Sequence, residues 1–76
     1  MNKIRRKQIE ELRVRLEEIC ADVDEIASNE QDAFDNLPES LQESERGEQM
    51  SDAIDALDDA VSSLEDAIES LETACE

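Results

Sequence analysis

Met50, Ile54, Leu57, Val61, Leu64, Ile68, Leu71 and Cys75 follow one another at intervals of four and three residues in strict alternation. An apolar residue every ~3.5 positions keeps one face of a helix turned towards a partner helix, and it does not suit the two-residue period of a strand. Upstream, Ile9, Leu12, Leu16, Ile19, Val23 and Ile26 step by three and four in the same way. The spacing predicts two long helices, over about residues 3–35 and 48–75, joined by a connector over 36–47 within one domain, 1–76. A single Gly, a single Pro and a single aromatic residue argue against a β architecture. The fold class is therefore all-α, an antiparallel helical hairpin.

The apolar stripes are wider than such a hairpin needs. Ala53, Ala60, Ala67 and Ala74 recur every seven residues beside the second row, and Cys20, Ala27 and Phe34 widen the first. A stripe widened on one flank meets more than one neighbour, so a homodimer completing a four-helix bundle is expected. Folding back antiparallel pairs residues whose numbers sum to about 84, at ~1.5 Å of rise per residue. Ile9 then faces Cys75, Arg13 approaches Glu72, and Cys20 lies near Leu64. This arrangement holds the two cysteines roughly 16 Å apart, beyond disulfide reach. They read as small apolar residues of the interior.

The connector "DNLPESLQESERGEQ" carries the only Pro and the only Gly. Asn36 is placed to end the first helix, and Pro38 suits the first turn of a short helical segment. Ser40 and Glu43 have the spacing of a capping box, and Gly47 reads as a break before the second long helix. Phe34, Leu37, Leu41 and Met50 are expected to cap this end with apolar surface.

Charge is distributed unevenly. Of 23 acidic and seven basic residues, giving a net charge of −16, the first fifteen positions hold Lys3, Arg5, Arg6, Lys7, Arg13 and Arg15 against Glu10 and Glu11. Beyond them, Arg46 is the only cation. The basic cluster "KIRRK" is expected to lie against the acidic end of the second helix.

Several classes of function lack their chemistry. There is no His to serve as a base or metal ligand, no Gly-rich phosphate loop, and no close pair of cysteines. The stretch "DVDEIASNEQDAFD" lacks the central Gly and the ligand spacing of a calcium loop. We therefore expect no enzyme, no cofactor and no specific metal site. No apolar stretch reaches the ~18 residues of a membrane span, and the basic start lacks the apolar core of a secretory leader. Unpaired cysteines fit a reducing cytoplasm. An acidic body repels phosphate, so direct nucleic-acid binding is not expected.

The acids themselves carry the functional expectation. Like charges four residues apart cost a few tenths of a kcal/mol per pair, and mixed charges would solubilise the helices equally well. About eighteen acids along a rod of roughly 45 Å amount to about one per 2.5 Å, against one charge per ~1.7 Å of duplex DNA. Such a rod could occupy a basic channel in place of DNA. Candidate contact residues are Asp52, Asp55, Asp58, Asp59, Glu65, Asp66 and Glu69. The competing expectation is a helical adaptor or assembly protein that uses the apolar "FDNLPESL" end, through Phe34, Leu37 and Leu41.

The segment "AFDNLPESLQESERGEQMSDAIDALDDAVSSLEDAIESLE" resembles a group of very small acidic proteins encoded by bacteriophages and prophages. The resemblance lies in a basic "NKIRRKQIEEL"-like start, a "DNLPESLQESERGE" connector and repeated "AIDALDDA"-type sevens. It implies a viral accessory protein acting in the bacterial cytoplasm. Small acidic phage proteins include inhibitors of restriction enzymes, CRISPR effectors and other host defences. The resemblance names no target.

Overall fold

The computed structural model describes residues 1–76 throughout. Three helices follow in order: α1 (Lys3–Asp35), α2 (Glu39–Gln42) and α3 (Glu45–Ala74). α1 and α3 lie side by side as an antiparallel hairpin of 58 × 14 × 13 Å. No helix is long and apolar enough to cross a membrane.

Each long helix begins at a side-chain cap. Asn2 precedes α1 and its side-chain oxygen accepts the Arg5 N–H at 2.8 Å. Ser44 precedes α3 and its Oγ accepts the Gly47 N–H at 3.4 Å, satisfying one of the free donors of the first turn. Asn36 ends α1, donating its N–H to the Asp32 carbonyl at 3.1 Å.

The seam is thin, with only Ala27, Gly47 and Ile54 buried. In α3 the covered residues are the expected ones. Written as a heptad, Ile54, Val61, Ile68 and Cys75 occupy position a, and Met50, Leu57, Leu64 and Leu71 occupy d. The alanine row then falls on g, and Asp58, Glu65 and Glu72 fall on e.

In α1 the seam lies on a different flank from the one the periodicity selected. The covered residues are Ile9, Arg13, Leu16, Cys20, Val23, Ala27, Glu30 and Phe34. Position a is thus Arg13, Cys20, Ala27 and Phe34, and d is Ile9, Leu16, Val23 and Glu30. Leu12, Ile19 and Ile26 fall on g and are 46%, 48% and 56% exposed. The small side chains of Cys20 and Ala27 give α3 the closer approach, which leaves the bulkier row outside.

Three cross-helix contacts fix the register. The Cys75 thiol reaches the Arg6 carbonyl at 3.7 Å, the Cys20 thiol reaches the Val61 carbonyl at 3.9 Å, and Arg13 lies 3.8 Å from Glu72. Their residue numbers sum to 81, 81 and 85, on either side of the expected 84. Cys75 therefore meets α1 about one turn before Ile9. Both cysteines are free and half-buried.

The connector departs from its expected form. Gly47 does not break a helix: it lies in the first turn of α3, which starts at Glu45. A Cβ at Gly47 would overlap the Gln42 carbonyl oxygen and stand 2.6 Å from that of Leu41, so glycine is required by close packing. Ser40 and Glu43 form no capping box, because Ser40 lies inside α2 and Glu43 ends it. The Gln42 amide instead donates to the Phe34 carbonyl at 3.1 Å and the Leu37 carbonyl at 3.2 Å, closing the end of α1.

Candidate functional site: an acidic seam

Heptad geometry places e and g on opposite sides of a helix–helix seam, and in antiparallel pairs e meets e and g meets g. The e row of α1 is Glu10, Glu17, Asp24 and Gln31; that of α3 is Asp58, Glu65 and Glu72. Arg13 confirms the shared side, since its Nη1 lies 2.8 Å from Glu17 and 3.8 Å from Glu72. In the connector half of the hairpin, Asp24, Asp32 and Asp58 line one open cleft with Ser28 and Gln31, over a floor of Ala27 and Ile54. One flank of the seam is thus walled by carboxylates from both helices.

All seven acids singled out on α3 are exposed. Asp58 and Glu65 stand at the edge of the seam. Asp52, Asp59 and Asp66 follow the outermost row, f, and Asp55 and Glu69 follow b. Asp66 and Glu69 share a shallow hollow with Ser70 and Thr73. The rows e, b and f form one continuous acidic sector. Positions c and g of α3 carry no charge from Gln49 to Ala74.

The sequence reading confined the acidic contact residues to α3. The fold adds Glu17, Asp24 and Asp32 of α1, which face the same cleft or flank. Their signal was the antiparallel register, which puts Asp24 opposite Asp58 and Glu17 opposite Glu65.

Cations do not neutralise this surface. Arg13 makes the only two ion pairs of the chain. Lys3, Arg5, Arg6, Lys7 and Arg15 make none: the basic head lies against the end of α3 as expected, where the Cys75 thiol meets the Arg6 carbonyl, but only Arg13 pairs with an acid there.

The negative field is felt at Cys20. Partial burial first, then the charges of Glu65 and Asp24, push its thiol up from the ordinary value. A proton is retained there because a thiolate would add charge to an already negative flank.

At the connector end, Phe34 and Leu37 are half-buried and Leu41 is 44% exposed. Met50 is half-buried as well, so Leu41 is the exposed one of the four residues expected to cap this end. No protein-family model, curated protein or solved structure matches the chain.

Proposed function

We propose that the protein inhibits a basic, nucleic-acid-handling protein by offering its acidic sector in place of a phosphate backbone. The observation that carries this reading is the cleft in which Asp24 and Asp32 of α1 flank Asp58 of α3 without a cation. Facing like charges across a thin seam costs stability, and nothing within the hairpin compensates for it. A basic partner would.

The dimensions support the same reading. Twenty-three carboxylates lie along 58 Å, roughly one per 2.5 Å, close to the ~1.7 Å spacing of duplex charge. A stiff, charged rod of this kind associates quickly and in a salt-sensitive way with a positive groove. The apolar connector end supports an adaptor reading less well, because Phe34 and Leu37 are half-buried and their carbonyls are tied by Gln42.

The phage-like connector supports a viral setting, in which the target is a restriction, CRISPR-type or other host protein in the bacterial cytoplasm. The working form is a homodimer. No enzymatic step, cofactor or membrane contact enters the proposal.

Affinity capture from a bacterial lysate, eluted by graded salt, tests it. Captured proteins should be basic, leave the column as salt rises, and be displaced by duplex DNA. If the wild-type chain competes with DNA for no captured protein at low salt, the reading is wrong.

A further inference from the structure

We infer that the uncovered face of α1 is the seat of a second copy of this chain, which binds antiparallel with α1 against α1 about Ile19. The inference rests on the dimeric part of the proposed function and not on its target. Four observations carry it.

The g row of α1, Leu12, Ile19 and Ile26, repeats at heptad spacing yet is about half exposed. On the same side of the seam lies the g row of α3, whose alanines make a low floor without charge. This face has no occupant within the hairpin.

The free surface is too large for a compact chain of this size. The hairpin exposes 5670 Å², whereas a folded monomer of 8.6 kDa exposes roughly 4700 Å². The excess, on the order of 1000 Å², matches the ~800 Å² per partner of a standard interface.

Charge along α1 is arranged against its own helix. Its first turn has no acid and its last turn has no base, the reverse of what the helix dipole favours. The basic head and the acidic second half therefore have no local reason to be segregated. An antiparallel second copy supplies one. Pairing about Ile19 sets Leu12 opposite Ile26 and brings Arg15 beside Asp22 of the other copy.

The cation needed for that pairing is available. Arg15 makes no ion pair in the hairpin, and it borders one groove with Met1, Arg5, Gln8, Ile9, Glu11 and Leu12. A two-fold contact of this kind is self-complementary, so each pairing occurs twice. The acidic sectors of both copies stay on the outside.

Sedimentation equilibrium of the full chain at tens of micromolar should give twice the 8.6 kDa chain mass. Ile19→Glu with Ile26→Glu should halve that mass while far-UV circular dichroism stays helical, since both side chains are about half exposed in the hairpin. A second pair of variants guards against misfolding. Arg15→Glu, and separately Asp22→Arg, should each weaken self-association on the order of tenfold, and mixing the two should restore dimers. A monomeric wild type, or a dimer that survives Ile19→Glu with Ile26→Glu, overturns the inference. Failure of the mixed variants to pair overturns the antiparallel arrangement. Neither result touches competition with DNA, so the two proposals fail separately.

Discussion

Gly47 packs against the backbone of Gln42 so closely that no side chain fits between them. This contact sets the approach of α2 to the first turn of α3, and with it the length of the connector. Gly47→Ala therefore introduces an overlap with main-chain atoms that cannot rotate away. The overlap should lower stability by about 1–3 kcal/mol, outweighing the ~1 kcal/mol that alanine gains in a helix. Urea denaturation of the two chains checks this. An unchanged or raised midpoint would show that α2 yields freely.

Arg13 is the one cation between the facing acids, 2.8 Å from Glu17 and 3.8 Å from Glu72. Further along the seam, Glu65, and Asp24 opposite Asp58, have no such mediator. Repulsion between exposed carboxylates weakens as the screening length falls from ~10 Å at 0.1 M salt to ~3 Å at 1 M. Melting temperature should accordingly rise with potassium chloride. A gain of about 1 kcal/mol corresponds to roughly 4–8 °C for a chain of this size. A melting point that falls with salt would mean that attractive pairs dominate the folded state.

At Cys20, burial and the charges of Glu65 and Asp24 favour the neutral thiol. Folding therefore holds a proton that the unfolded chain releases near the ordinary value of 9.0. The stabilising effect is complete below that pH and is lost as pH rises through the elevated folded value. In a Cys75→Ser chain, alkylation of Cys20 at pH 8 should be slower than in denaturant, and its rate should keep climbing above pH 9. Equal rates in the folded and denatured chains would show that the thiol is free of the acidic flank.

The hairpin was legible because heptads are a direct imprint of helix packing. α3 displays one apolar seam of two rows beside one alanine row, and the structure covers the seam with the larger side chains. α1 offered two rows of comparable strength. Periodicity preferred Leu12, Ile19 and Ile26 for their bulk, whereas packing chose Cys20 and Ala27 because they permit closer approach. That choice depends on the partner surface, which spacing within a single helix does not encode. Gly47 was visible as an exception and misread as a break, since a glycine required by proximity looks the same in sequence as one required by a turn. The Gln42 bonds to Phe34 and Leu37 carried no signal, because their geometry exists only once the connector folds. The acids were evident as a composition, but their gathering into one sector needed the register of both helices.

The e rows make stability and the proposed function pull in opposite directions. Asp58 stands in the same cleft as Asp24 and Asp32, and Glu65 acts with Asp24 on Cys20. Asp58→Lys or Glu65→Lys would replace a repulsive pair by an attractive one across the seam. Each should raise stability by about 0.5–1 kcal/mol, in the range of exposed ion pairs. The same substitutions remove two negative charges apiece, counted as net change, from the surface offered to a basic groove. Competition with DNA for the captured partner should therefore weaken as thermal stability rises. Reversal at Asp59, on the outermost row, should weaken competition with little change in stability. If Asp58→Lys stabilises the hairpin and leaves competition intact, the acids of the seam are not the contact surface. If it destabilises the hairpin, the two e rows do not face each other.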